Sequence, residues 1–405
     1  MWYKNFMERH ELRYACLFGG GAIRGLAHIG VIRAMNELKI ERGTLAGASV
    51  GAIIAAFLAV GCDDKELEQI FLDVDLELFK DINFGKTLAL SKGGIFLDWI
   101  RGIIEAKVYG VNYKKGKNKP VCFKDIDQDL VIVTTDLTNF TCKEFSRYTT
   151  PDFEIAEAVR ISACMPGLMR PVEMGDCMLV DGDLQKSWPM WKLCETLSNL
   201  KEDVLEIRLE GSVCKNLANP IHFANTVYSC ITSIASDFVV SLFENDEQHD
   251  CLVINTKDVV IVNFQMKKAE RHQLIKDGYE QAFEYFKNVL PSKKRKLLDN
   301  YIKIRNFIVD IRELLLDDKV DFAQVKYGNL LAFLCKIRST IDGKIFSQIL
   351  ALTEEILNNS NKTFFMKRTY LKNVREVVKN LDEIEQELRL KEFKLIKPIE
   401  LAGIK

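Results

Sequence analysis

The sequence predicts an α/β fold with a mostly parallel central sheet, followed by an all-helical extension, and three observations carry that expectation. Two short runs, Tyr14 to Phe18 and Thr44 to Ala46, each pass through a glycine-containing turn into a stretch with helical spacing. A third run, Leu130 to Thr135 (LVIVTT), is nearly continuous in apolar residues, as a strand buried on both faces requires. Beyond Pro291 the apolar residues recur at helical intervals with no strand signal.

In chain order, Tyr14 to Phe18 reads as a strand that ends in the glycine-rich loop Gly19-Gly20-Gly21-Ala22-Ile23-Arg24-Gly25. Leu26, Ile29, Ile32, Met35 and Leu38 then mark a helix. A glycine loop that opens a helix presents several backbone N–H groups to an anion. The run fits neither nucleotide fingerprint: a GxGxxG frame begun at Gly19 puts Arg24 at its last glycine, and no Walker Gly-Lys-Ser/Thr follows. The alternative use is an oxyanion hole for an acyl-transfer intermediate. His28, on the first turn of the helix, reads as a packing residue rather than a catalytic imidazole.

The second strand leads into Gly47-Ala48-Ser49-Val50-Gly51, a serine with glycine two residues before and two after. This is the nucleophile-elbow pattern, in which a strand turns sharply into a helix and presents the serine at the bend. The uncharged stretch from Leu45 to Cys62 has the minimum length of a membrane span, but its glycines, its serine and its alanine content fit a buried helix beside a sheet better. Asp63-Asp64-Lys65-Glu66 ends that helix and starts an amphipathic one.

Ser91-Lys92-Gly93-Gly94 reads as a loop and Ile95 to Val108 as a helix with a broad apolar face, followed by a basic loop, Tyr113 to Pro120. Such a helix and loop fit equally a lipid-binding mouth at a membrane surface or a core-packed helix with a solvated loop. Glu154 to Arg160 reads as a short helix, Ser162 to Pro171 as an irregular run, and Cys177 to Val180 as a strand ending in Asp181-Gly182-Asp183. A carboxylate at the end of such a strand sits where open α/β sheets place their chemistry. Val204 to Leu209 and Cys251 to Ile254 read as strands with an apolar helix-like segment, Phe223 to Phe243, between them. Lys267 to Val289 reads as an amphipathic helix, and Pro291 as the boundary between residues 12–290 and the helical extension 291–405.

With 405 residues, 48% apolar and 28% charged, the chain has the composition of a globular protein. Its net charge is −1, but 23 Lys and Arg against 16 Asp and Glu from Pro291 onward give +7 there and leave −8 before it. That asymmetry fits a basic surface for acidic lipid or a protein partner of the C-terminal helices, or ordinary solvated helix faces. Nucleic acid is not an expected partner. Eleven cysteines include no CxxC pair and no metal-like cluster with histidine, so the thiols are expected to be free, in a reducing compartment, with no metal and no cofactor. The first eighteen residues carry charges throughout and no apolar core, so no Sec signal is visible. The expected location is the cytoplasm, with peripheral membrane contact; export by a route that needs no such signal stays open.

GGGAIRG with HIG close behind, GASVG and DGD stand in one order, and together with DLVIVTTDL, TTPDFEIAEAVRISACMPGLMRPVE and MLVDGDL they resemble the patatin-like phospholipase family across residues 12–290. The resemblance implies a three-layer α/β/α fold and a Ser-Asp dyad without histidine, with Ser49 as nucleophile and Asp181 as base. It implies an oxyanion hole at the amides of Gly20, Gly21 and Ala22, with Arg24 fixing the loop, and it makes Gly19, Gly25, Gly47, Gly51, Gly182 and Asp183 supporting motif positions. The substrate implied is a phospholipid or other acyl lipid. Two positions depart from the family pattern: Ala22 stands where a further glycine is common, and Asp183 where alanine or glycine is common. Two alternatives compete with this reading. One is a Ser-His-Asp esterase drawing on His222, His249 or His272; the other is a weakly catalytic scaffold acting through the C-terminal helices.

Overall fold

A computed structural model of the chain describes residues 13–75, 91–185, 203–211, 249–257, 265–337, 343–353 and 367–402, with the single residues 226, 259, 341 and 356. The segment Phe223 to Phe243, read above as helix-like, lies outside these except for Thr226. The chain divides into two compact units, Leu12–Tyr285 and Phe286–Lys405.

The first unit is built on one sheet. Strand β1 (Arg13–Phe18) is followed by a 3-10 turn (Ala22–Gly25) and helix α1 (Leu26–Glu37). Strand β2 (Glu41–Ala48) leads directly into α2 (Val50–Ala59), and α3 (Asp64–Asp73) and α4 (Gly94–Tyr109) come next. Then follow β3 (Leu130–Asp136), β4 (Thr141–Ser146), α5 (Ile155–Ser162), β5 (Val172–Met174), β6 (Cys177–Asp181), β7 (Asp203–Glu210) and β8 (His249–Asn255). The sheet order is β5-β6-β3-β2-β1-β7-β8, with β4 on β3. The pairs among β3, β2, β1, β7 and β8 are parallel; β4, β5 and β6 pair antiparallel.

Every residue of β3, and every residue of β1 after Arg13, is buried, so both faces of the sheet are covered. One face is packed from Ala15, Leu17, Ala46, Ala48, Val131, Val133 and Val204, the alternate positions of neighbouring strands. Helix α2 is apolar on almost every side because nearly all of it is buried. At α3 the expected start is a reciprocal cap: the Asp63 carboxylate accepts from the N–H groups of Lys65 and Glu66, and Glu66 returns a carboxylate to the Asp63 N–H. Helix α4 turns Phe96, Ile100 and Ile104 inward, so its apolar face belongs to the core and only Ile95 and Val108 of its large apolar residues stay exposed.

Two strand ends set the site. Strand β4 runs along one edge of β3 from Val131 to Asp136, so the other edge is shared by β2 and β6. Ala48 of β2 sits opposite Val133, and the very next position, Thr134, lies opposite Asp181 of β6. The two strands run in opposite directions and meet end to end on that edge. Gly182 fits there because a Cβ would fall on the Val133 carbonyl. The sequence carries no signal for the direction of β6, and the structure pairs it antiparallel to β3. Asp181 reaches the reaction edge as the last residue of an antiparallel strand.

In the second unit, helix α6 (Lys268–Leu316) begins before the boundary and carries Pro291 within it. The expected break at Pro291 is therefore not a helix end. The ring removes one rung of the ladder, but Phe286, Leu290, Leu297 and Tyr301 continue one buried stripe past it, and that burial holds the helix. Helices α7 (Val320–Lys336), α8 (Gly343–Ala351) and α9 (Lys367–Ala402) complete the described part of this unit. Its core includes Tyr301, Ile304, Ile308, Tyr327, Ile345, Leu381 and Leu388. Arg312 pairs with Asp382 and Glu385, and Arg305 with Glu392, which ties α9 to α6.

Candidate active site

Ser49 occupies the bend between β2 and α2 with φ 55° and ψ −126°, a conformation that costs a non-glycine residue about 1–3 kcal/mol. The surroundings enforce it. A Cβ on Gly47 would fall on the Gly51 carbonyl, and one on Gly51 would fall on the Phe18 carbonyl, so the helix can start this close to β1 only with glycine at both places. The side chain of Ser49 is 5% exposed and its Oγ donates to Asp181 Oδ2 at 2.8 Å. The Asp181 backbone is fixed by its own N–H, which donates to the Cys164 carbonyl at 3.0 Å.

Sequence reasoning missed Ser162, at the end of α5. Its buried Oγ accepts from the Ser49 N–H at 3.0 Å and donates to the Val133 carbonyl at 2.6 Å. Both partners are main-chain groups at the point where β2 and β6 meet, so one hydroxyl closes that junction. No periodicity marks such a residue, since its partners lie far away in sequence. Ser162→Ala leaves the buried Ser49 N–H without its acceptor. The expected cost is about 1–3 kcal/mol, read as a lower urea midpoint with an unchanged slope.

The glycine loop lies beside this pair. Gly19 donates its N–H to the Ile207 carbonyl at 2.9 Å and offers its own carbonyl to His28 Nε2 at 2.8 Å, which identifies Nε2 as the protonated nitrogen. His28 is fully buried with its ring edge-on to Phe18, the packing role expected of it. Gly21 has φ 144° and Ala22 φ 48°. The second value explains why glycine suits position 22, since an alanine there carries about 1–2 kcal/mol of strain. The N–H groups of Gly21 and Ala22 donate to no partner among the described residues.

Gly20 departs from expectation: its N–H donates to Asp183 Oδ1 at 3.0 Å, so that amide is occupied and not turned to a substrate. Asp183 in turn gives its backbone N–H to Asp181 Oδ1 at 2.8 Å. Arg24 is buried, and its Nε donates to the Val259 carbonyl at 2.9 Å. Burial pushes its guanidinium below the ordinary value and the nearby Asp183 carboxylate opposes that shift. Gly25 lies against the Val50 side chain at the start of α2. The Cys164 thiol is held neutral, raised to about 12 by burial, with Arg160 opposing and Asp181 adding to the shift. An apolar cluster of Met165, Leu168, Leu184 and Ala22 flanks the loop and the DGD turn.

The family model described as patatin-like phospholipase matches residues 17–189, a span that holds the glycine loop, the elbow and the DGD turn. Residues 17–189 belong to the patatin-like phospholipase family. Among similar proteins, an uncharacterized protein of Bacillus subtilis, YqhO, is 25% identical over 301 residues, covering 67% of this chain and 97% of that one. A protein of Invertebrate iridescent virus 6 named probable lipid hydrolase 463L is 28% identical over 183 residues, covering 43% of this chain and 61% of its own length. The crystal structure of VipD from Legionella pneumophila aligns with 96% of this chain and 91% of its own at a TM-score of 0.51 and 17% identity, a likeness of fold alone. The chain has the expected fold class: a mostly parallel central sheet inside α/β/α layers, with a helical C-terminal region. Among the described residues, no helix is long and apolar enough to cross a membrane.

Proposed function

We propose that this patatin-like chain is a lipid acyl hydrolase of phospholipase A type, cleaving ester-linked fatty acids from membrane glycerolipids. The observation that carries the reading is the 2.8 Å hydrogen bond from Ser49 Oγ to Asp181 Oδ2 at a glycine-flanked elbow. Residues 12–290 form the catalytic part in this reading and 291–405 the helical extension.

Asp181 takes the Ser49 proton as Oγ attacks the ester carbonyl. The tetrahedral oxyanion is held by the N–H groups of Gly21 and Ala22, which already stand in a positive-φ turn and need no reorganisation. Collapse breaks the ester bond and Asp181 returns the proton to the leaving alcohol. Water, deprotonated by the same carboxylate, then attacks the acyl-enzyme; the bond between Ser49 Oγ and the acyl carbon breaks, Asp181 returns the proton to Oγ, and the fatty acid leaves. Met165, Leu168, Leu184 and Ala22 offer the acyl chain an apolar wall beside the oxyanion loop. Ser49 Oγ donates to a carboxylate and not to an imidazole nitrogen, which favours the dyad over a triad. His28 faces the Gly19 carbonyl and His272 faces Glu68.

The test is fatty-acid release from phosphatidylcholine and phosphatidylglycerol vesicles by the full chain, with a variant lacking His222, His249 and His272. Release that persists in that variant supports the dyad; no release by the wild type from any acyl lipid rejects the reading.

Membrane contact falls to the basic loop, because the apolar face of α4 is committed to the core. Lys114, Lys115, Lys117 and Lys119 are exposed, and Val111 just before them is fully so. Each such lysine contributes about 1 kcal/mol at an anionic surface, and salt screens it. Replacing all four with glutamine is expected to weaken sedimentation with phosphatidylglycerol vesicles by more than about tenfold at low salt. Equal binding by the variant, or binding indifferent to salt, would reject this loop as the contact.

A further inference from the structure

We propose that Asp183 is a positioning residue that sets the height of the oxyanion loop against the nucleophile, a role that rests on the Ser49–Asp181 reading above. The two halves of the site come from strands that do not touch. The loop follows β1, while Asp181 ends β6, and β2 and β3 lie between them in the sheet. No ladder hydrogen bond therefore fixes β1 against β6 directly. Asp183 supplies that link, and it is 4% exposed.

The connection is continuous. Ser49 Oγ donates to one oxygen of Asp181, the Asp183 N–H donates to the other, and the Asp183 side chain accepts the Gly20 N–H. Gly20 immediately precedes the two amides that remain open. The fit is close on the loop side, since a Cβ on Gly20 would fall within 3.0 Å of the Asp183 side chain. Arg24, near enough to act electrostatically on Asp183, compensates the charge that this arrangement buries. The charge of a carboxylate acceptor strengthens its bond to a backbone N–H, and a glycine or alanine at position 183 has no atom to make it. Displacing a catalytic group by about 1 Å is enough to cost about a hundredfold in rate. Loss of the tether therefore belongs in the turnover number rather than in substrate binding.

The experiment compares Asp183→Ala and Asp183→Asn in the full chain on a soluble p-nitrophenyl butyrate ester, with thermal midpoints recorded and Ser49→Ala as control. Asparagine keeps an oxygen for the Gly20 N–H and discards the charge. The expected result is a fall in kcat of about a hundredfold for alanine with KM within about twofold, and recovery by asparagine to within about tenfold of wild type. Wild-type kcat in the alanine variant overturns the proposal, as do equal losses in both variants or a loss confined to KM. Should the alanine variant not fold, asparagine alone decides it: turnover within about tenfold supports the tether, and a hundredfold loss at a native midpoint overturns it. Hydrolysis that persists in Ser49→Ala rejects the serine reading itself, whereas an inactive Ser49→Ala beside a fully active Asp183→Ala rejects only the tether.

Discussion

Ser49→Ala is expected to bring acyl-ester hydrolysis down to the level set by binding and oxyanion contacts alone, a loss on the order of 10⁶-fold in kcat, and Asp181→Asn to cost about 10⁴-fold or more. The two losses are not expected to add, because the hydroxyl and the carboxylate act on one proton. The double variant should be no slower than Ser49→Ala. Folding survives both changes: the alanine lacks only a hydroxyl, and an asparagine oxygen still accepts the Asp183 N–H that now meets Asp181 Oδ1. Thermal midpoints within a few degrees of wild type, beside absent turnover, are the outcome to look for. Activity retained in either variant would leave the 2.8 Å contact a structural hydrogen bond.

The second large effect belongs to the elbow glycines. A Cβ on Gly51 would fall on the Phe18 carbonyl and one on Gly47 on the Gly51 carbonyl, both main-chain atoms that move only if a strand or helix moves. At Gly25 the obstruction is the Val50 side chain, part of which can rotate away. Gly51→Ala and Gly47→Ala are therefore expected to destabilise by about 1–3 kcal/mol or more and to inactivate by shifting Ser49, with Gly25→Ala milder in both respects. Urea unfolding and kcat for the three variants give the ranking. A Gly51→Ala protein with native stability and turnover would contradict the close approach of α2 to β1.

Much of the first unit was legible in the sequence because its signals are local. The apolar run Tyr14 to Phe18, the glycine loop, the elbow serine and Asp181 all sit where the sequence places them. What stayed hidden depends on distant partners. The antiparallel direction of β6 follows from pairing Thr134 with Asp181, and no residue in Cys177 to Asp181 encodes direction. Strands β4 and β5 were missed because TCKEFS is half-exposed without clear alternation and Val172–Met174 is too short for a period to appear. Ser162 acts across 113 positions, so neither spacing nor composition singles it out; Asp183 is marked in the sequence only as a departure from the family pattern, and its partner Gly20, 163 positions away, is not legible there. The same holds for Gly20, whose amide looks free in sequence and is taken by Asp183. At Pro291 a local rule misplaced a helix end, since tertiary burial of Phe286, Leu290, Leu297 and Tyr301 outweighs one missing rung.

The central claim is that Ser49 is a nucleophile made reactive by Asp181. A fluorophosphonate ester tests it most directly, because the probe becomes covalently attached only to an activated serine and mimics the tetrahedral intermediate. After brief exposure of the full chain, intact-mass measurement and peptide mapping should find one adduct, on the peptide carrying Ser49, and Asp181→Asn should remove it. An unmodified chain, or an adduct on another residue, would contradict the account.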